Sequence, residues 1–383
     1  MRKKVCIGDL GTVVTGKTPS KSNKAFYGDY ALFLKPTDIS ECCKFTYKTE
    51  EMFSQLAADK FASSLIPKGA ICIPCIGTIG TKMTMSHCEC YTNQSINSII
   101  CNDKYDNEYV YYLMKNFLPN LKSYNLGTAS GREFISKSNF EKIEIVAEQD
   151  KNIQNEIGKF LSRYDSLIEN YQKQIKLLEE SAQRLYKEWF IDFRFPGHEN
   201  TKIVDGVPEG WEKKKVGDLI SKVLRTKQVS ANNYLNSGCI PVIDQSRNYI
   251  AGYTDDIESL IEVTIPYIVF GDHTRALKYV PFSFAKGADG TQLIMSNDLE
   301  RMPQSLFYNS LIEIDLSNYS YARHFKYLKE ESMLVPSKDI AQRYDKVVSQ
   351  YFQSIQKSRG QIHHLTEARD RLLPKLMNGE IEV

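Results

Sequence analysis

The sequence lacks any long apolar run, and no stretch approaches the roughly 18 apolar residues that a membrane-spanning helix needs. The basic start Arg2-Lys3-Lys4 leads into an apolar stretch that Asp9 interrupts, which speaks against a secretory signal. Charge of one sign is also lacking. Lys and Arg number 49 against 47 Asp and Glu, so a net charge of +2 offers no global attraction for nucleic acid. Any such surface must be local. Cysteine is almost missing from the second half: of nine, only Cys239 lies beyond Cys101, and so lopsided a set is no disulfide framework. These absences point to a reducing, cytoplasmic setting. What remains, 42% hydrophobic and 25% charged over 383 residues, suits two or three ordinary globular cores.

Two stretches invite a chemical reading. Gly11-Thr12-Val13-Val14-Thr15-Gly16-Lys17-Thr18 matches the phosphate-cradling pattern G-x-x-x-x-G-K-[ST]. That loop works only between a buried strand and a helix that starts at its Lys-Thr. Here Pro19-Ser20-Lys21-Ser22-Asn23-Lys24 gives a helix nothing to bury, and the preceding decapeptide is too polar for a central strand. The match reads as a Gly/Thr-rich surface turn, leaving Lys17 and Thr18 as candidates to meet some other phosphate. Cys72 and Cys75, followed by His87, Cys88 and Cys90, have zinc-like spacing. A buried strand using cysteine as a small hydrophobe explains Ala70–Gly77 better, and no metal is expected.

The chain is built twice. Gln174–Leu185 and Gln361–Leu372 share Gln, Ile, Leu, Glu, Arg and Leu at a constant spacing of 187 residues, as from Ile175 to Ile362. Lys151, Ile153, Tyr164 and Ile168 pair at that same spacing with Lys338, Ile340, Tyr351 and Ile355. A weaker echo, Ile7-Gly8-Asp9-Leu10 and Val216-Gly217-Asp218-Leu219, opens each half. Apolar residues at Ile153, Ile157, Phe160, Tyr164, Leu167, Tyr171, Ile175, Leu178, Ala182, Leu185 and Trp189 alternate by threes and fours, the pattern of a coiled-coil seam. Ile340, Tyr344, Val347, Tyr351, Ile355, Ile362, Leu365 and Leu372 repeat it, with an expected weakening at Ser358 and Gly360. Forty such residues make a helix of about 60 Å, and the other copy is its natural partner.

The regions before each helix read as short strands and turns, with β-type runs at Ala70–Ile79, Ser95–Cys101, Ile261–Phe270 and Leu306–Leu316. Short helices are expected at Ser54–Phe61 and Glu108–Asn116. The organisation predicted is a first globule at 1–148, a helix at 149–190, a Pro/Gly linker at 191–210, a second globule at 211–336 and a helix at 337–383.

This arrangement resembles the specificity subunit of Type I restriction-modification systems. The likeness rests on Gly16-Lys17-Thr18-Pro19 with Leu34–Ile39, Pro67–Ala70 leading to Ile76–Gly80, Asn93–Asn97, Gly127–Ile135 and the join Trp189–Phe195 with Val207–Trp211. In the second half, Ile268–Arg275 and Gly287–Gln292 resemble one class of the family's recognition domains. Glu144–Gln149 lacks the proline expected before the helix, whereas Val335-Pro336 keeps it. The resemblance implies an α+β protein with two target-recognition domains, mixed and β-rich, separated by two long antiparallel coiled-coil helices in a pseudo-two-fold repeat. It implies a split, asymmetric target in double-stranded DNA. About one turn of duplex, ~34 Å, separates two major-groove faces on the same side. It further implies two methyltransferase subunits and possible restriction subunits as partners, with S-adenosylmethionine, ATP and Mg in those partners and no cofactor in this chain.

Candidate DNA contacts are Lys17, Thr18, Lys35, Thr37, Ser130 and Arg132 in the first globule and Asp272, His273, Thr274, Arg275, Lys278, Thr291 and Gln292 in the second. They pair donors with turns that expose them, and an Arg bidentate to guanine is the commonest specific contact. Ordinary solvated loop positions are the alternative for each. Candidate seam and partner residues are Ile153, Ile157, Tyr164, Ile175, Leu178, Leu185, Ile340, Tyr351, Ile362, Leu365 and Leu372.

Two rival readings have less support. A coiled-coil adaptor that binds no DNA would not explain why the globules diverge while the helices agree. A metal-dependent nuclease would need Asp205 and Glu212-Lys213-Lys214 to converge across the turn Pro208-Glu209-Gly210-Trp211. No methyltransferase loop of the Asn-Pro-Pro-Tyr type occurs, so no catalytic residue is expected. The purified chain should therefore hydrolyse no ATP; saturable ATP binding that Lys17→Ala abolishes would restore the phosphate-loop reading.

Overall fold

The computed structural model describes residues 1–125, 127, 133–223, 226–319 and 323–382. It divides into two compact units, Met1–Tyr171 with Gln361–Val383, and Gln172–Gly360. The first unit opens with β1 (Arg2–Cys6), β2 (Gly11–Thr15), β3 (Tyr27–Leu34), β4 (Met52–Phe53) and the short helix α1 (Gln55–Lys60). Strands β5 (Ile71–Pro74), β6 (Thr84–Met85), β7 (Cys90–Thr92) and β8 (Ile96–Cys101) follow. Helices α2 (Asn107–Phe117) and α3 (Lys137–Glu141), strand β9 (Glu144–Glu148) and the long helix α4 (Lys151–Tyr186) come next.

One antiparallel sheet has the order β2-β8-β5-β6, a second has the order β4-β3-β7 with β3 and β7 parallel, and β1 pairs with β9. Ile71, Ile73 and Ile99 of the first sheet pack with Tyr109, Tyr112 and Met114 of α2 in one core. Helix α2 starts one residue before the expected Glu108, because the Asp106 carboxylate accepts the Tyr109 N–H at 2.9 Å and caps its first turn.

The second unit carries the hairpin β10 (Ile203–Val204) and β11 (Val207–Pro208), then β12 (Glu212–Lys215) and the single turn α5 (Val216–Leu219). Strands β13 (Ile240–Ile243), β14 (Gly252–Thr254), β15 (Leu260–Ile261), β16 (Tyr267–Gly271), β17 (Leu277–Val280), β18 (Phe284–Lys286) and β19 (Thr291–Ile294) build its sheets. Helices α6 (Gln304–Ile312) and α7 (His324–Glu330), strand β20 (Ser332–Val335) and the long helix α8 (Lys338–Asn378) complete it. The sheet orders are β14-β13-β18-β15 and β17-β16-β19, and β12 pairs with β20.

The sequence echo marks one clasp made twice. Ile7 N–H donates to the Ile143 carbonyl at 2.9 Å, and Val216 N–H to the Glu331 carbonyl at 2.8 Å. A Cβ on Gly8 would lie 3.3 Å from the Glu141 carbonyl oxygen, and one on Gly217 would lie 3.1 Å from that of Lys329. Close approach of backbone therefore accounts for both glycines. The two long helices begin in register at Lys151 and Lys338, with or without the proline, because Gln149 and Asp150 N–H groups find the Glu148 carboxylate instead.

Within each unit α4 and α8 run antiparallel. In the first, Ile157 and Leu161 share a core with Leu373, Leu376 and Met377, and Arg369 bonds Asp165. In the second, the Tyr344 hydroxyl donates to the Ala182 carbonyl and Ser358 approaches Gln174 at 3.5 Å. The predicted seam, however, is off by one residue over much of its length. Ile153, Leu167 and Val347 are exposed, while Gln154, Ile168 and Val348 are buried. Of the other seam candidates, Ile157 and Ile340 are buried, whereas Tyr164, Ile175, Leu178, Leu185, Tyr351, Ile362, Leu365 and Leu372 are half-buried.

Polar residues at buried places caused the misreading. Gln154 accepts the Asp106 N–H at 2.8 Å and donates to the Glu148 carbonyl at 2.8 Å, tying α4 to the start of α2. Asp165 is enclosed with Arg369 and with the Tyr112 hydroxyl. The helix also does not break at Ser358 and Gly360; the Ser358 hydroxyl folds back on the Ser354 carbonyl at 2.9 Å.

Other expectations need correction. Leu306–Leu316 is largely helix α6, not a strand. Gln304, Ser305, Leu306, Phe307, Asn309, Ser310 and Leu311 are all buried, and burial on nearly every side erases the helical period. Ala70–Ile79 contributes only the four residues of β5, and Ile261–Phe270 is split between β15 and β16. The C-terminal end of α4 widens into a π turn at Lys187–Ile191 rather than continuing to residue 190 as regular helix.

The corrected seam gives a paired test. Ile168→Asp and Val348→Asp should each cost several kcal/mol in chemical denaturation, because each buries a carboxylate without a partner. Their neighbours Leu167→Asp and Val347→Asp should cost about 1 kcal/mol or less. Equal losses at adjacent positions would reject the register. Arg369→Met, which strands Asp165, should cost about 3–5 kcal/mol.

Candidate nucleic-acid interface

In the second unit, two loops converge on Gln245. Its side-chain amide donates to the Asp289 carbonyl at 3.0 Å and accepts the His273 N–H at 3.1 Å. The Thr274 hydroxyl donates to the Gln245 backbone carbonyl. Gln245 thus ties the β16–β17 turn to the β18–β19 loop. Nothing in its sequence neighbourhood announced this role. Gly290 adopts φ +71°, and a Cβ there would lie 2.7 Å from Gln245 Oε1. Arg275 holds φ +62° in the turn, a conformation that L side chains seldom adopt away from sites where the surroundings impose it.

These loops border a polar cleft of about 550 Å³, lined by Asp272, His273, Lys286, Thr291, Gln292 and Arg323 among others. The structure brings four sequence candidates to this cleft, Asp272, His273, Thr291 and Gln292. It adds Gln228, Lys286 and Arg323, which lie in unremarkable sequence and could be found only from the fold. Burial lowers the Lys286 pKa. Thr291 is 2% exposed, and its hydroxyl has no hydrogen-bond partner among the described residues.

Not every candidate is free to read DNA. Asp272 is buried; its carboxylate accepts the Phe325 N–H at 2.8 Å and its carbonyl accepts the His324 N–H at 3.0 Å, so it anchors α7. Lys278 is 5% exposed and donates to the Asp244 carbonyl at 2.8 Å. Burial lowers its pKa against the pull of Asp244. It holds the loop and cannot reach a duplex. Arg275 is exposed at the tip, although one guanidinium nitrogen donates to the Leu316 carbonyl at 3.1 Å.

In the first unit, three of the segments that carry the family resemblance meet at one end of the sheets. Lys17 N–H donates to the Thr92 carbonyl at 3.0 Å, and Asn93 N–H donates to that of Leu34 at 2.9 Å. A Cβ on Gly16 would fall 2.1 Å from the Thr92 carbonyl oxygen, so only glycine fits. Lys17, Thr18 and Thr37 are exposed there; Thr18 bonds the Gln94 side chain, and the Lys17 amine lies 3.4 Å from the Ser63 hydroxyl. Lys35 is already neutralised by Glu50 at 2.7 Å and Glu51 at 3.3 Å. Ser130 and Arg132 lie outside the described residues. Gly77 N–H nevertheless pairs with the Glu133 carbonyl at 3.1 Å, which places the start of the next segment beside Ile76–Gly80.

Gly11–Thr15, expected as a turn, is the edge strand β2, and no helix starts at Lys17. Cys72, Cys75 and Cys90 are buried, and among the described residues no group of three or more His, Cys, Asp or Glu side chains could hold a metal ion. Asp205 turns the β10–β11 hairpin with φ +51°, while Arg301 and Lys214 hold the Glu212 carboxyl down at about 2.

Residues 2–180 match the family model of the Type I restriction modification DNA specificity domain. Over 98% of its length the chain is 28% identical to the Type I restriction enzyme MjaIX specificity subunit of Methanocaldococcus jannaschii, spanning 93% of that protein. Along its length the chain is similar to specificity subunits of Type I restriction-modification systems. Another relative, the Type I restriction enzyme HindI specificity subunit of Haemophilus influenzae, is 35% identical over 45% of this chain and 38% of its own length. The fold agrees with the crystal structure of a Type-I restriction-modification system S subunit from M. genitalium, with a TM-score of 0.58 at 17% identity over 98% of this chain and 96% of that one.

Within this chain, reading and holding residues should separate experimentally. His273→Ala and Gln292→Ala should weaken DNA binding without moving the thermal midpoint. Lys278→Met should cost about 1–3 kcal/mol of stability by stranding buried acceptors. Unfolding curves measured beside DNA titrations at one salt concentration decide this, and a stable Lys278→Met that fails only in binding would reverse the assignment.

Proposed function

We propose that this chain is a Type I restriction-modification specificity subunit that reads a bipartite, asymmetric DNA site, one half with each globule, and docks two methyltransferase subunits, and through them restriction subunits, along its helices. One observation carries the reading. The clasp and the long helices recur at matched positions in both units, whereas the loops of the two candidate surfaces share neither sequence nor bonding. Duplication followed by divergence of the recognition surfaces alone is what two separate half-sites require. The chain itself contributes no catalytic residue in this reading. S-adenosylmethionine, ATP and Mg belong to its partners.

Most contacts in such an interface go to phosphate and position the duplex; a few base contacts specify. Lys17, Thr18 and Thr37 in one globule, and His273, Arg275, Gln292, Lys286 and Arg323 in the other, are the residues proposed to touch DNA. Exchanging residues 211–336 for another member's second globule should change one half-site and leave the gap unchanged, as read by methylome sequencing. A change in both half-sites would defeat the two-reader model. Arg275→Ala should cost ~1–3 kcal/mol at one base position if it reads guanine, and should weaken all sequences alike with a shallower salt slope if it meets phosphate.

A further inference from the structure

Glu169 and Gln356 occupy equivalent places on the two long helices, 187 residues apart, and their surroundings differ. In the first unit the Tyr47 hydroxyl donates to Glu169 Oε2 at 3.0 Å, while Oε1 stays buried with no donor among the described residues, and the Tyr47 ring packs on His87 with centroids 4.7 Å apart. In the second unit Tyr249 lies beneath the Arg359 guanidinium at 3.7 Å, but its hydroxyl donates to the Tyr279 carbonyl at 2.6 Å. The Gln356 side-chain oxygen is left buried, with no donor among the described residues. A buried acceptor in that condition is unfavourable and calls for a partner.

Gln356 lines a cavity of about 320 Å³, within the range of small-molecule sites, roughly 300–1,000 Å³. Four aromatic rings stand in its walls, Tyr249, Tyr279, Tyr308 and Phe352, with Tyr279 stacked on Phe352 at 4.2 Å. Glu179 and Arg359 also line it and pair with each other at 3.1 Å, and Arg247, Lys278, Gln183 and Asn309 add further polar groups, so the site offers flat rings, one unmet acceptor and cationic side chains. All of these residues belong to the second unit. In the first unit Asp165 stands where Phe352 does, with Arg369 and the Tyr112 hydroxyl upon it.

We propose that this cavity binds a small, planar aromatic molecule with an N–H or O–H donor, a nucleobase or a phenol, which stacks between the rings and donates to Gln356. Such a ligand supplies to the second unit what Tyr47 supplies to the first.

Titration of the full chain with adenine, p-cresol and p-xylene, followed by ligand-observed NMR and thermal shift, tests the assignment. At least one donor-bearing probe should bind saturably: adenine alone identifies a nucleobase site, p-cresol alone a phenol site, and both the shared chemistry. p-Xylene, which has the shape of p-cresol without its donor, should bind about tenfold more weakly or worse. Gln356→Leu should abolish that preference, and Gln356→Glu, which restores the residue of the first unit, should retain it. The proposal is overturned if neither donor-bearing probe saturates, if p-xylene matches p-cresol, or if Gln356→Leu binds as the natural chain does. Should Gln356→Leu fail to fold, the p-xylene comparison and Gln356→Glu decide.

Discussion

The rest of the molecule depends on the antiparallel contact between the two long helices. Ile157 and Leu161 share their core with Leu373, Leu376 and Met377, and Ala182 and Tyr186 share theirs with Tyr344 and Val348. Each long helix is polar over most of its circumference, so neither could keep this stripe from water alone. The same stripe seats the globules: α2 packs against α4 in the first unit, and Phe307 and Leu311 of α6 pack with Tyr344 and Phe352 in the second. Recognition loops can then vary freely, because nothing in the seam or the clasp passes through them.

The period of the helices was legible in the sequence and its phase was not. A spacing of 187 residues can be read from identity alone, and it survives in the structure as the matched starts Lys151 and Lys338. Phase was inferred from apolar residues, yet three positions that face inward carry Gln154, Asp165 and Arg369, and apolar Ile153 and Leu167 face outward. Polar groups with fully matched partners are invisible to a pattern that counts hydrophobes. Helix α6 fails for the opposite reason. Being wrapped on nearly all sides, it has no polar face to give it away.

The candidate site was legible as turn chemistry but not as accessibility. Glycine with aspartate at Gly271-Asp272 and Asp289-Gly290 announced tight loops, and those loops do meet. Sequence could not show that Lys278 points inward to Asp244, that Lys35 is already spent on Glu50 and Glu51, or that Gln245 joins the loops. Each depends on what stands opposite a side chain across a sheet or loop. Lys286 and Arg323 were missed for the same reason: they reach the cleft from a strand and a helix start far apart in the chain.

The enclosed pair Asp165–Arg369 has a consequence for how genes of this kind can be shuffled. At the equivalent positions the other unit has Phe352 and Ala182. A recombinant carrying the first helix in both places would set Asp165 against alanine and put a second aspartate where Phe352 stands. Each carboxylate would then be buried without its guanidinium, at a cost of about 3–5 kcal/mol apiece. The duplicated helices have therefore diverged into a lock and its key at this one level, and only the segments between them remain interchangeable parts.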